Sequence, residues 1–426
     1  MAVTTVVIAG AGGRGRLTYA PYAKKFPEQM KLVAAADRIP ERLREMKEEY
    51  ALAEDCCFDT VEEMFARPKM ADMAFICTQD GEHVRHAMLA LEKGYDLLLE
   101  KPVSAEAAEC RRLLEKAEEL GRSVTVCHVL RYAPFYQRLK GLLEEGAVGR
   151  VISIQASENV GYWHQAHSFV RGNWRRSDET SPMILAKCCH DMDLLVWLTE
   201  SRCRRISSMG SLSWFREENA PAGAPLYCLD GCPVKAECPY DAEKIYITNP
   251  VTGYDTNGSG WMQKAVMTQP DREGLLETLK TSPYGRCVFR CDNNVVDNQS
   301  VTMEMENGIT IGFHMCGLNR NNYRTIHIMG TKGDITGNLE EESLVLHQFG
   351  GEEETIRMNV EETLYGHGGG DYRMLHDMFE ARSRGTGTLT SLRESLESHY
   401  MALAAERSRQ NGGERVELEE FVRELL

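Results

Sequence analysis

The sequence predicts an α/β protein of two unlike parts: a parallel, doubly wound sheet in residues 1–128, and an α+β domain with an open, mostly antiparallel sheet in residues 129–426. Three observations predict it. The 426-residue length exceeds what one hydrophobic core usually sustains, roughly 250–300 residues. The first part alternates short apolar runs with helical periodicity, the pattern of strand–helix–strand units. Beyond about residue 150 the runs alternate apolar and polar and are joined by turn residues instead.

In chain order, apolar runs at 3–9, 32–36, 74–78, 97–99 and 124–127 read as buried parallel strands. Between them Leu43, Met46 and Tyr50 mark one helix face. Val84, Ala87, Met88 and Leu91 mark a second; Cys110, Leu113, Leu114, Ala117 and Leu120 mark a third. Ser104 is placed to cap the third helix and Gly121 to end it. In the second part, residues 151–157 alternate, and 301–306 and 309–314 flank Asn307-Gly308, a strong hairpin signal. Runs at 326–329, 344–347 and 355–360 continue the sheet, with helices on one face. Helical patterns around 374–379 and 392–405 close the chain. The stretch from about 215 to 285 lacks periodicity and is rich in Pro, Gly and Asn, which predicts a functional insertion or lid rather than packed core.

Composition narrows the function. The net charge is −15, from 49 Lys plus Arg against 64 Asp plus Glu. That balance disfavours nucleic acid and anionic membranes, whose phosphates need clustered cations. No apolar run reaches the roughly 18 residues of a membrane span. The apolar start lacks the basic flank and cleavage site of a signal peptide. With 14 scattered cysteines, the expectation is a cytoplasmic protein with reduced thiols.

Gly10-Ala11-Gly12-Gly13-Arg14-Gly15 follows the first strand and opens a helix. Gly10 permits the tight turn, Gly12 lets a pyrophosphate approach the backbone, and Gly15 permits close helix–strand packing. Asp37, after the second strand, would accept the adenosine ribose hydroxyls. This is a Rossmann dinucleotide site. Asp37 favours NAD by repelling a 2′-phosphate, while the neighbouring Arg38 would admit NADP. Gly13, Arg14, Thr78, His83, Glu100 and Lys101 complete the expected cofactor set.

Glu100-Lys101-Pro102 follows the run at 97–99. Together with the glycine motif, Arg131-Tyr132-Ala133-Pro134 and His190-Asp191-Met192-Asp193, it resembles the Gfo/Idh/MocA oxidoreductase family. The resemblance implies a Rossmann domain followed by a substrate and oligomerisation domain, and a catalytic histidine at His190. Lys101, at the carboxyl end of a strand, would hold a hydroxyl near the nicotinamide and stabilise alkoxide charge. His190, with an imidazole pKa near neutrality, would be the base. Many members carry an aspartate four residues before that histidine. Here Ala186 stands there, followed by Lys187, which would take over part of the polar role.

Tyr162, Trp163, His164 and His167, followed by Arg171, Trp174 and Arg175, combine aromatic faces with hydrogen-bonding groups, as a sugar requires. His367, in a glycine-rich loop starting at Gly366 and ending at Asp371, joins that expected substrate set. Cys228, Cys232 and Cys238 lie close enough for structural zinc, the fourth ligand coming from Cys189, Cys287 or Cys291; buried thiols are the alternative.

The reading is thus an NAD(P)-dependent oxidoreductase of a secondary hydroxyl or ketone on a sugar, glycoside or cyclitol, and a homo-oligomer by its open sheet. Two alternatives share the residues. One is an NAD-dependent glycosidase that oxidises its substrate transiently with no net cofactor turnover. The other is a nucleotide-binding regulator without catalysis.

Overall fold

The computed structural model describes residues 3–358 and 367–425. The first sheet is parallel throughout and holds β1 (Thr4–Ala9), β2 (Met30–Ala36), β3 (Cys57–Phe58), β4 (Met73–Ile76), β5 (Asp96–Leu99) and β6 (Val124–Val126). Its order is β3-β2-β1-β4-β5-β6. The apolar runs are strands because helices cover both faces, so every position must be apolar; β4 is buried along its whole length. The two-residue β3 carries too few residues to show a pattern. Neighbours β1 and β4 are where the strand order reverses, and ligands of such sheets bind outside the strand ends at that point.

The second sheet runs β14-β13-β12-β11-β7-β10-β9-β8-β15. Its strands are β7 (Val151–Gly161), β8 (Cys203–Ser211), β9 (Asn298–Met305), β10 (Thr310–Asn319), β11 (Tyr323–Gly330), β12 (Gly333–Asn338), β13 (Ser343–Gln348), β14 (Glu353–Arg357) and β15 (Val416–Glu417). All pairings are antiparallel except β7 with β10. The expected Asn307-Gly308 hairpin joins β9 and β10, with Thr310 opposite Glu304. Alternation of buried and exposed residues along both strands puts one face on helices Cys189–Thr199 and Leu392–Gln410. The expected strand at 355–360 ends at Arg357; residues 359–360, like Gly366, lie outside the described residues.

Three expectations need correction. Ser104 is not the helix cap: the helix begins at Ala107 with Glu106 at the cap. The Ser104 hydroxyl instead accepts from Glu106 N and donates to Glu109. The chain also closes with one more helix, Leu418–Leu425. The stretch 215–285 is not devoid of core. Phe215, Ile245, Tyr246, Ile247, Leu275 and Leu279 are buried with Trp163, Ala166 and Val170 in a cluster of their own. Its apolar residues come in short bursts between turns, so no period betrays them.

The carboxyl-terminal segment ties the two sheets together. Helix Gly370–Arg384 contributes Met374, Leu375, Met378 and Phe379 to the core around Val6, Ile8 and Tyr22, and Thr390 O accepts from Val126 N of β6. Among the described residues no helix is long and apolar enough to cross a membrane.

One buried ion pair sets the helix that carries His190. The Arg131 guanidinium donates from Nε and Nη2 to the two Asp193 oxygens, both at 2.6 Å, and each residue is at most 3% exposed. Arg131→Met strands that carboxylate in the core, which costs about 3–5 kcal/mol. Urea unfolding followed by tryptophan fluorescence should show the loss, and Arg131→Lys should recover only part of it because one ammonium cannot make the forked contact.

Candidate active site

Gly10 turns the chain off β1 with φ +97°, and a Cβ there would stand 2.6 Å from Cys77 O. At Gly15 a Cβ would meet Gly10 O at 2.1 Å, so only glycine fits either position. Gly12 differs: the nearest atom to a Cβ would be Arg42 Nη1 at 3.6 Å, and at Gly13 nothing lies within 4 Å. No protein atom demands glycine at these two, and the open face they leave suits a pyrophosphate on the amino end of the following helical turn, Gly13–Tyr19. Asp37 accepts from Ala11 N at 2.7 Å and Ile39 N at 2.9 Å, which fixes its carboxylate beside the glycine loop. Arg38 is exposed.

Arg14 turns away from the loop's open face. Its Nε donates to Glu100 Oε1 and its Nη2 to Asp371 Oδ1, at 2.5 and 2.6 Å, and it also donates to the Tyr19 hydroxyl. Tyr19 in turn donates to Glu100 Oε1 at 2.6 Å. Burial alone would raise the Glu100 pKa, but the Arg14 guanidinium and the Tyr19 hydroxyl outweigh it and hold the carboxyl below its usual range. His83 lies between two carbonyls, Pro102 O at 2.7 Å and Thr78 O at 3.0 Å, and so staples the end of β4 to the segment carrying Lys101. The Thr78 hydroxyl lies 3.0 Å from His86 Nδ1.

Lys101 projects from the end of β5 and donates to Ala186 O at 2.9 Å. His190, in the first turn of helix Cys189–Thr199, is 4% exposed, and its Nδ1 has no partner. Burial, reinforced by Lys101, His128, His367 and Arg324, pushes its pKa well below the usual imidazole value. The ring is therefore neutral and keeps a lone pair for a proton. His367 lies 5.9 Å from it, ring centre to ring centre, and its Nδ1 is 2.9 Å from Asp371 Oδ2. Arg14 and His367 together depress the Asp371 pKa against burial, which would raise it.

Lys187 is held 3.2 Å from Glu158 Oε1. Glu158 is 1% exposed and pairs with Arg324, directly opposite it across β7 and β11, at 2.5 Å. Arg324 also donates to Asp191 Oδ1 at 2.9 Å. Burial, with Glu158 adding to it, raises the Asp191 pKa in spite of Arg324. Two cations and two carboxylates thus back the helix start beside His190. His164 lies 3.1 Å from Asn322 Oδ1, edge-on to the half-exposed Trp261 at 5.3 Å between ring centres. Burial and the nearby Lys187 and Lys101 charges keep it neutral.

The structure therefore brings Lys101, His190, Lys187, His164 and His367 together. The rest of the expected substrate set has other partners. Tyr162 accepts from Asn249, His167 is stacked on Tyr284 and lies 2.8 Å from the Tyr246 hydroxyl, and Trp163 is buried among the insertion's apolar residues. Arg171 donates to Arg286 O and Tyr240 O, Arg175 to Asp292, and the Trp174 indole to Asp80. Tyr162, Trp163, His167 and Arg171 thus anchor the insertion, Arg175 pairs just beyond it, and Trp174 ties the loop to the Rossmann domain. Sequence reasoning missed Glu158, Arg324 and Tyr19, each a lone polar residue with no spacing to mark it. Glu158 and Arg324 could have been found only from their strand register.

The match to family models is decisive. Residues 4–128 match the oxidoreductase family model for a NAD-binding Rossmann fold, and residues 140–418 its C-terminal alpha/beta domain. The chain belongs to the Gfo/Idh/MocA oxidoreductase family. It is an NAD(P)-binding oxidoreductase, similar to the putative oxidoreductase YteT of Bacillus subtilis, with 24% identity over 88% of each chain. Inositol 2-dehydrogenase of Gluconacetobacter diazotrophicus is 27% identical over 40% of this chain and 47% of its own length. Among solved structures, an oxidoreductase from Agrobacterium radiobacter in complex with NAD+, L-tartaric acid and magnesium superposes with TM-score 0.70 and 14% identity, over 98% of this chain and 99% of that one.

The two kinds of glycine separate in a simple experiment. Gly12→Ala should leave thermal unfolding unchanged and raise the NAD dissociation constant at least tenfold, by placing a methyl where the pyrophosphate approaches. Gly15→Ala should lower the unfolding temperature as well, because its methyl strikes the backbone of Gly10. Scanning fluorimetry with and without NAD reads both.

Proposed function

We propose that the protein is an NAD-dependent dehydrogenase acting on a secondary hydroxyl, or the corresponding ketone, of a sugar, glycoside or cyclitol. The observation that carries this reading is the neutral, unpartnered His190 imidazole beside the Lys101 ammonium at the carboxyl end of β5. The likeness to an inositol dehydrogenase supports a polyhydroxylated substrate, and Trp261 beside His164 offers an aromatic face for ring C–H groups.

Oxidation of a secondary alcohol removes a proton and a hydride. His190 takes the hydroxyl proton, its depressed pKa keeping it ready as a base. Lys101 donates to the same oxygen and stabilises its developing negative charge. Lys187, fixed by Glu158, and His164 hold neighbouring hydroxyls. Gly10, Gly12, Gly15 and Asp37 would hold the dinucleotide, and NAD, when bound, supplies the hydride acceptor. The fixed Asp37 carboxylate disfavours the 2′-phosphate of NADP.

The test offers purified protein NAD or NADP with a panel of free sugars, cyclitols and aryl glycosides and follows reduced cofactor by absorbance. One class should give a rise with NAD that falls about 100- to 10,000-fold in Lys101→Ala or His190→Ala. Aryl glycoside cleavage without net reduced cofactor would instead establish transient oxidation. Turnover unaffected by either substitution would defeat the assignment.

The pH profile follows from the same geometry. A base with a lowered pKa stays unprotonated as pH falls through the ordinary imidazole value near 6.5, so kcat/KM should hold there and decline only at lower pH. In Lys101→Gln the residual activity should lose its acid limb at higher pH, since a cation that depresses the His190 pKa is gone.

A further inference from the structure

We propose that Cys228, Cys232, Cys238 and Cys287 form a structural zinc site that organises the insertion. All four line one small, partly open cavity of about 10 Å³, whose other walls are mostly apolar, among them Val234, Tyr240 and Phe289, with Asp241 beside them. The space is that of a single water or ion. Backbone hydrogen bonds hold two of the ligands side by side. Cys228 N donates to Gly285 O at 2.9 Å and Cys287 N to Leu226 O at 2.8 Å, around the Tyr227–Arg286 bridge. The other two close a tight loop, in which Lys235 N donates to Cys232 O and Cys238 N to Val234 O. The fold thus supplies the fourth thiol that the local sequence lacks, from some fifty positions downstream, and it selects Cys287 rather than Cys189 or Cys291.

A second, independent observation is the charge of Arg171. Its guanidinium is 1% exposed, and among the described residues no carboxylate forms an ion pair with it. Nη1 has no partner, while Nη2 points at the Cys228 sulfur from 3.6 Å. The buried Asp241, also on the cavity wall, lies near enough to feel the Arg171 charge but forms no ion pair with it. Four thiolates around a dication carry a net charge of −2 and would place negative charge directly where Nη2 points. Binding is balanced: each thiol releases its proton to solvent, four sulfur–metal bonds form, and no electron is transferred.

No three of these sulfurs lie within 4.8 Å of one another; among the described residues only Glu62, Glu82 and His86 form such a set, and Arg85 already pairs with both glutamates. A Zn–S bond of about 2.3 Å sets tetrahedral sulfurs about 3.8 Å apart, so ligation requires the four thiols to move toward one another.

Metal analysis of the full chain, purified under reducing conditions without chelator, tests this. We expect about one zinc per chain, retained in Cys291→Ser and lost in Cys238→Ser. Stripped wild-type protein given zinc chloride should release about four protons per zinc and regain its original unfolding temperature. Cobalt(II) in its place should show thiolate charge-transfer absorption. Zinc absent from protein that also fails to take up zinc or cobalt would overturn the proposal, as would a disulfide among these cysteines or full retention in Cys238→Ser.

Discussion

The guanidinium of Arg14, shared between two buried carboxylates, is the interaction on which the site depends. Glu100 belongs to the end of β5, Asp371 to helix Gly370–Arg384, and Arg14 to the glycine loop, so one side chain joins the dinucleotide loop, the lysine-bearing strand end and the carboxyl-terminal domain. A partly buried cation between two carboxylates is stable only with all its donors placed, and Tyr19 completes the set. The position of Lys101 is fixed one residue from Glu100, and that of His367 by its bond to Asp371. A loosened Arg14 would therefore disturb the cofactor loop and the proposed catalytic residues together.

Around this clamp the electrostatics serve one end. Lys101, Lys187 and Arg324 gather positive charge where the proposed reaction would develop an alkoxide, while Glu158 and Asp191 keep Lys187 and Arg324 from standing unpaired in the interior. Burial, with Lys101 and Arg324 adding to it, holds His190 neutral. The family resemblance implies an aspartate where Ala186 stands. Here the backbone carbonyl of Ala186 takes the Lys101 ammonium instead, and the negative charge comes from Glu158 on the neighbouring sheet.

Much of this was legible in the sequence because it rests on local rules. The glycine loop, the strands β1, β2, β4, β5 and β6 and the Asn307-Gly308 hairpin follow from spacing and turn chemistry, and Lys101 and His190 from motif context. The missing parts depend on tertiary register. Glu158 faces Arg324 only because β7 and β11 pair as they do. The aromatic run from Tyr162 onward reads as a sugar-binding surface, yet most of it packs on an insertion whose core no periodicity announces. Ser104 has the composition of a helix cap, but the helix starts after Glu106 and Ser104 bonds it from outside.

The central claim is that His190 is a neutral base kept so by burial and its cationic neighbours, and histidine titration by NMR tests it most directly. The resonance absent from a His190→Gln spectrum identifies the ring in the wild-type protein. The account predicts that this ring stays unprotonated as the pH falls through about 6.5, and that it titrates at higher pH in Lys101→Gln. A wild-type His190 that takes up its proton at or above 6.5 would contradict it.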